Sequence, residues 1–171
     1  PKTLTQISNN ETLFNMKETI NPLITPMKIL CLAKLGRTKD CHTLLNSHTS
    51  TTPPSAQFLP FIFSAYLELN DTQKANDYLL QISETDLPIA MIYSMFSMIH
   101  LKEKDYENAY KRINQAIETD NSTENRLLKL DIVYHLSNKS EYETLLKQLK
   151  KESEHNTLLT TELKKLIKSH T

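Results

Sequence analysis

The chain of 171 residues has few of the residues that many functional sites require. It contains one glycine, which is too few to build a glycine-rich loop around a phosphate group. It has no tryptophan, and no segment alternates apolar and polar residues as a half-buried β-strand does. No apolar stretch approaches the roughly 18 residues that indicate a membrane span. These absences predict a helical protein without a phosphate loop and without membrane insertion.

Net charge is also absent. The 20 basic and 20 acidic residues cancel, so nothing electrostatic favours nucleic acid or an anionic membrane as a partner of this domain. The distribution is uneven, because residues 1–100 carry 7 basic and 8 acidic side chains and residues 101–171 carry 13 and 12. The charge-poor first part is where we expect a partner, a neighbouring domain or self-association. A composition bias without functional meaning is the alternative.

The cysteines and histidines form no recognisable site. Cys31 and Cys41 are the only cysteines and belong to no CxxC motif, so we expect neither a redox nor a zinc site. Both fall on small positions predicted to be buried, where a reduced structural pair is expected and a disulfide in an oxidising compartment is the alternative. The six histidines are scattered, no two of them are four residues apart, and no serine sits in a GxSxG motif. We therefore expect no catalytic residue, no metal site and no cofactor, and predict that the protein is not an enzyme.

A 34-residue period runs through the middle of the chain. Cys41, Ala75 and Ala109 recur with this constant spacing, and each is followed four residues later by a large apolar residue, Leu45, Leu79 or Ile113. Residues at i and i+4 share one helix face, so each of these helices presents a small and a large apolar residue together. A fixed period of this length indicates stacked helical hairpins.

The segment DYENAYKRINQAIE, residues 105–118, resembles the second helix of a tetratricopeptide repeat. Gly36 falls at the helix-helix turn of that family, and Asn70, Lys104 and Asn138 occupy the turn in the later blocks. The resemblance implies an all-α fold, an α-α superhelix of antiparallel hairpins, with about three repeats, a degenerate fourth and a C-terminal capping helix. A run of unrelated antiparallel helices is the alternative.

The register of the repeat predicts the boundaries of the domain. The predicted segments are a remnant helix of a preceding hairpin in 1–21 and a repeat domain in 22–171, divided into repeats 22–55, 56–89 and 90–123, a degenerate repeat 124–155 and a capping helix 156–169.

Local signals refine these boundaries. Asp71 and Asp105 are predicted N-caps, and Ser140 with Glu143 forms a predicted capping box. Pro60 predicts a late or bent start of its helix, and the polar segment 46–56 is predicted to be a loop.

Members of the resembled family bind extended peptides or helices on a concave surface that the first helix of each repeat lines. The resemblance therefore implies a partly apolar groove for a protein or peptide partner. The matching positions lack the basic side chains that clamp acidic chaperone tails, so we do not expect that ligand. The predicted groove set is Leu30, Lys34, Ser64, Leu67, Glu68, Met91, Ser94, Met98, Leu101, Lys102, Lys129 and Ile132.

Three hypotheses follow for the function. The first is a protein-interaction scaffold or adaptor that holds a partner segment, the second is a secretion-type chaperone that shields apolar segments of its cargo, and the third is the effector or partner-sensing C-terminal domain of a larger transcriptional regulator. The first residue is Pro1 rather than methionine, so we expect a processed or trimmed chain, before which a targeting signal, an anchor or a domain could lie. A cytoplasmic location is favoured, and a periplasmic or envelope location is the alternative.

Overall fold

The computed structural model describes residues 22–82 and 87–170, and within these residues it is all-α, with nine helices and no strand. This confirms the predicted fold class as an all-α, helical repeat-like fold. None of the described helices is long and apolar enough to cross a membrane. The helices are α1 (Ile24–Lys34), α2 (Thr38–Thr51), α3 (Leu59–Glu68), α4 (Thr72–Leu80), α5 (Ile89–Lys102), α6 (Tyr106–Thr119), α7 (Thr123–His135), α8 (Lys139–Ser153) and α9 (Thr157–Ser169).

The helices belong to two compact units, Pro1–Ile82 and Ser83–Thr171. In the first unit, α1 packs against both α2 and α3, and α3 packs against α4. In the second unit, α5 pairs with α6, α7 packs against both α6 and α8, and α9 packs against α8. Short connections between consecutive helices produce this pairing, because a short loop forces the next helix to return antiparallel to the previous one.

The turns inside the hairpins repeat with the predicted period. Gly36, Asn70 and Lys104 follow one another at the spacing of the repeat, and all have positive φ, at 68°, 57° and 63°. At each turn, the amide of this residue donates to a carbonyl three residues back, and the next amide donates to a carbonyl five residues back. This pattern is the Schellman ending of a helix, which satisfies carbonyls that the helix end leaves free. The structure thus confirms the 34-residue period at the level of the backbone.

The fourth turn departs from the prediction. Ser137, with φ of 57°, takes the left-handed position that the sequence assigned to Asn138. Asn138 instead caps α8, because its Oδ1 accepts a hydrogen bond from the amide of Glu141. The predicted capping box of Ser140 with Glu143 is therefore wrong. The turn residue comes one position earlier than the period predicts, so α8 begins before Ser140.

The other predicted caps agree with the structure. The side chain of Asp71 accepts from the amide of Lys74, and that of Asp105 accepts from the amide of Asn108. Each cap satisfies one amide that the first turn of a helix leaves without a partner. Pro60 lies in the first turn of α3, which confirms the late start of this helix.

The period also predicts the buried small positions. Cys41, Ala75 and Ala109 are fully buried, and the large residues four positions later are buried with them. The Cys41 thiol lies 3.5 Å from the carbonyl oxygen of Ile29 on the paired helix, and the Ser97 hydroxyl donates to the Ala109 carbonyl at 2.8 Å. These contacts require a small residue in the second helix, since a larger side chain would separate the two backbones.

Two sequence predictions are wrong in the first unit. The segment 46–56 is not a loop throughout, because α2 continues to Thr51. Cys31 is exposed rather than buried, because it lies on the side of α1 opposite the buried residues Ile29 and Ala33. The predicted remnant helix in 1–21 lies outside the described residues.

Candidate functional site

The predicted groove residues belong to different units of the structure. Five lie in the first unit: Leu30, Lys34, Ser64, Leu67 and Glu68. Seven lie in the second unit: Met91, Ser94, Met98, Leu101, Lys102, Lys129 and Ile132. We therefore describe the exposure and contacts of these residues within each unit.

Two residues of the groove set are buried. Leu67 on α3 is 4% exposed, and Ile132 on α7 is fully buried. Ile132 belongs to a core cluster with Ala109 and Ile113 of α6. Neither side chain offers surface to a partner, so both are reassigned to the core. The register of the repeat puts Leu67 and Ile132 on the exposed face of first helices. In the structure, α3 and α7 bury more than one face.

Lys129 and Leu101 face other helices of the second unit. The Lys129 ammonium lies 2.7 Å from the Glu141 carboxylate on α8 and 5.1 Å from the centre of the Tyr110 ring on α6. Leu101 packs against the same core cluster as Ile132. These contacts show that the two side chains hold helices together.

The remaining predicted groove residues have solvent-accessible surface. Leu30, Ser64 and Met98 are half-buried, as are Met91 and Ser94. The charged side chains of the set that remain exposed are Lys34, Glu68 and Lys102. Their partner-binding role stays a prediction.

Met91 and Ser94 line a cleft of about 640 Å³ in the second unit. It lies where α5 begins and where α6 connects to α7, and we refer to it as the α5–α7 cleft. Its lining consists of Pro88, Ile89, Ala90, Met91, Ser94, Thr119, Asp120, Ser122, Glu124 and Asn125. The first turn of α5 supplies the apolar part, and the α6–α7 connection supplies the polar part.

Asn125 fixes the floor of the α5–α7 cleft. Its side chain is buried, and its Nδ2 donates to the Asp120 carbonyl at 2.8 Å. Its Oδ1 lies 2.5 Å from the Ser94 hydroxyl on α5. The amide therefore ties the α6–α7 connection to α5, and a buried amide with partners on both sides holds such a geometry rigidly.

The described residues that line this cleft include two carboxylates, Asp120 and Glu124, and no basic side chain. Both residues are exposed. The cleft thus combines an apolar wall around Met91 with a negatively charged rim.

A second polar cluster was not predicted by the sequence. The His170 imidazole, 4% exposed, stacks on the Tyr134 ring with centroids 3.9 Å apart. Its Nε2 lies 2.9 Å from the Asp131 carboxylate, and its Nδ1 lies 3.1 Å from the Tyr142 hydroxyl. We call these four residues the His170 cluster. It fastens the end of α9 to α7 and α8.

Burial sets the protonation of one member of the His170 cluster. It raises the pKa of the Tyr142 hydroxyl, and the charges of Tyr134 and Asp131 raise it further. Tyr142 therefore keeps its proton near neutral pH, and its hydroxyl lies within hydrogen-bond distance of His170 Nδ1. No sequence pattern indicates this arrangement, because His170 lies 39 residues from Asp131 and 28 from Tyr142.

Among the described residues, no group of three or more His, Cys, Asp or Glu side chains could hold a metal ion. Comparisons with known proteins gave no match: no family model matches the chain, and searches of curated proteins and of solved structures found no similar protein. The tetratricopeptide resemblance stays a prediction of the sequence.

Proposed function

We propose that this chain is a non-enzymatic protein-interaction module that holds an extended or helical segment of a protein partner. The repeated helical hairpins support this function, because such hairpins present clefts between helices whose positions are fixed by packing. The observation that carries the proposal is the α5–α7 cleft, whose apolar wall and polar floor lie on helices joined through Asn125.

The chemistry of the cleft defines the partner segment. Met91 is half-buried and flexible, and methionine adapts to irregular apolar surfaces. Asp120 and Glu124 favour lysine or arginine beside the apolar residues of the ligand. We therefore propose an apolar segment with flanking basic residues as the ligand. The chaperone and regulator-domain hypotheses use the same kind of capture and stay predictions.

Selection of peptides from a displayed random library on the whole chain tests this function. We expect enriched peptides that combine apolar and basic residues and bind in the micromolar range. Met91→Lys places a positive charge on the apolar wall, so it should weaken their binding by at least about tenfold, which corresponds to about 1.4 kcal/mol.

A matched control separates the cleft from a general effect of charge. Leu158→Lys makes the same kind of change at an exposed position of α9 in the same unit, and it should leave binding unchanged. If the selected peptides bind equally well to the parent and to both variants, they bind outside the α5–α7 cleft. A library that yields no enriched peptide would contradict the proposed function.

A further inference from the structure

The hairpin of α7 with α8 has a tyrosine where the earlier hairpins have a small residue. In α6, the cap Asp105 is followed four positions later by the fully buried Ala109. In α8, Asn138 is the cap and Tyr142 stands at the corresponding place. A tyrosine cannot fit into the space that an alanine fills between two backbones. The end of α7 and the first turn of α8 are therefore held apart.

A pocket of about 440 Å³ lies at this point of the second unit, and we call it the Tyr142 pocket. Its volume is in the range of sites that bind small molecules. Among the described residues, none lines both this pocket and the α5–α7 cleft. The lining comes from α7, from the turn and from α8, and includes Val133, Tyr134, Ser137, Lys139, Tyr142 and Glu143.

Two tyrosine rings line the Tyr142 pocket in fixed orientations. The Tyr134 hydroxyl donates to the His170 carbonyl at 2.6 Å, and the Tyr142 hydroxyl lies 3.1 Å from His170 Nδ1. The two tyrosine rings have centroids 6.0 Å apart and are tilted by 53°. Although His170 stacks on Tyr134, this tyrosine remains 39% exposed and still offers surface to a ligand. Aromatic rings pack well against other aromatic rings, so these walls favour a ligand with an aromatic group.

Two opposite charges lie beside the rings. Lys139 and Glu143 are exposed and four residues apart, so they share one face of α8. A lysine four residues before a glutamate is the less favourable order for an ion pair along a helix, and in the described structure the two side chains do not pair with each other. Lys139 is also the first residue of α8, where the helix dipole favours a negative group. The pocket thus offers one place for an anion and one for a cation.

We propose that the Tyr142 pocket binds a free aromatic amino acid. The aromatic side chain of this ligand packs against Tyr134 and Tyr142, its carboxylate lies near Lys139, and its ammonium lies near Glu143. A ligand with only one charge would leave one of the two charged side chains without a partner, so the pocket complements a zwitterion best. This ligand differs from the protein segment proposed for the α5–α7 cleft, and the two sites are separate.

Val133 is the only valine of the chain, so its methyl groups report directly on the pocket that it lines. In protein labelled at valine methyl groups, titration with L-phenylalanine should shift the Val133 signals through the ring current of the bound ligand. L-leucine, which has the same charges and no ring, should bind about tenfold more weakly. The ligands 3-phenylpropionate, without the ammonium, and 2-phenylethylamine, without the carboxylate, should each bind about threefold more weakly.

Substitutions in the pocket test each contact. Lys139→Gln and Glu143→Gln should each weaken binding of L-phenylalanine by about threefold. Lys147→Gln, at an exposed position of the same helix outside the lining, is the matched control and should bind like the parent. Tyr142→Ala restores the small residue of the earlier hairpins and should abolish binding. Circular dichroism reports whether this variant keeps its helices, and the three exposed substitutions test the proposal if it does not.

Three results would overturn the proposal. The first is an unchanged Val133 signal at about 10 mM L-phenylalanine, well above the concentration at which even a millimolar site fills. The second is equal affinity for L-phenylalanine and L-leucine, or for L-phenylalanine and either singly charged ligand, because the rings or the charges would then not select the ligand. The third is equal affinity of the parent, Lys139→Gln and Glu143→Gln, which would show that the amino acid binds outside this pocket.

Discussion

Ala109 lies where two backbones of the second unit approach closely. It is fully buried, and its carbonyl accepts the Ser97 hydroxyl of the paired helix at 2.8 Å. Replacing Ala109 with leucine should lower the free energy of unfolding by about 1–3 kcal/mol through overpacking. Urea denaturation measures the change. Lys111→Leu on the exposed side of the same helix is the control, and an equal effect of both substitutions would contradict the packing we describe.

His48 makes stability of the first unit depend on pH. It is buried on α2 with its ring edge-to-face against Phe58, and burial lowers its pKa below the ordinary value of 6.5. The unfolded chain therefore binds a proton on His48 at a higher pH than the folded chain does. As the pH falls below about 6.5, stability should decrease by no more than about 1.4 kcal/mol for each pH unit, the slope of one proton.

Denaturation at pH 7.5 and at pH 5.5 checks this dependence. The parent should lose more stability between the two conditions than His48→Gln, which does not titrate. His42→Gln, at an exposed position of the same helix, should behave as the parent does. An identical loss in all three proteins would show that His48 does not contribute to the acid sensitivity.

The repeat predicts which side chains are buried only where a helix has one apolar face. It predicts the buried small residues and their large neighbours correctly, because α2, α4 and α6 each pack through one side. It fails for Cys31, because α1 has apolar residues on two faces and spacing cannot tell which is covered. The repeat also fails to predict the burial of Leu67 and Ile132. The register puts them at positions that line a groove in the resembled family, whereas here these positions belong to the core.

At the scale of the helical elements, Gly36 ends α1 in the left-handed conformation. Its φ is +68°, and a Cβ added there would meet no atom within 4 Å. Gly36→Ala should therefore lower stability through backbone strain alone, by about 1–2 kcal/mol. Lys104→Ala is the control, because Lys104 already adopts a positive φ with a side chain and should lose almost nothing. Thermal unfolding measures the loss of stability in both variants. An equal loss would contradict backbone strain at residue 36 as the cause.

The His170 cluster should control the attachment of α9. His170→Ala removes the ring stacked on Tyr134 and the polar contacts to Asp131 and Tyr142. The loss of a buried polar group and its contacts should weaken docking of this helix by about 1–3 kcal/mol. Hydrogen exchange should therefore accelerate in α9 while the amides of α5 and α6 keep their protection.

His155→Ala is the control for this prediction. His155 is exposed in the connection between α8 and α9 and is not a member of the His170 cluster. Its variant should exchange like the parent. Unchanged exchange in α9 of His170→Ala would show that the apolar contacts of Leu159 and Leu163 hold this helix without the cluster.

Most element boundaries follow from local signals in the sequence. Asp71 and Asp105 cap their helices as predicted because a cap depends on a few consecutive residues. The extension of α2 to Thr51 was not predicted, since a run of Ser and Thr is typical of loops. In the structure, the hydroxyls of Thr49 and Thr51 donate to carbonyls four residues back in α2, so these residues are satisfied within the helix.

At the scale of the whole molecule, the 34-residue period determines the number and order of the hairpins. The second helices begin at Thr38, Thr72 and Tyr106, in step with this period, and the fourth begins at Lys139. The sequence could not predict the sites in the same way. The floor of the α5–α7 cleft and the His170 cluster depend on contacts between residues that are distant along the chain, and no local pattern reports such contacts.

Methionine methyl NMR detects partner binding in the α5–α7 cleft at a residue of the cleft itself. The chain has five methionines, of which Met91 lines the cleft and Met27 is an exposed residue of α1 in the first unit. Titration with a selected apolar and basic peptide should shift the Met91 methyl signal most and leave that of Met27 unchanged. An unchanged Met91 signal at saturating peptide, with shifts confined to other methionines, would show that the peptide does not bind in this cleft.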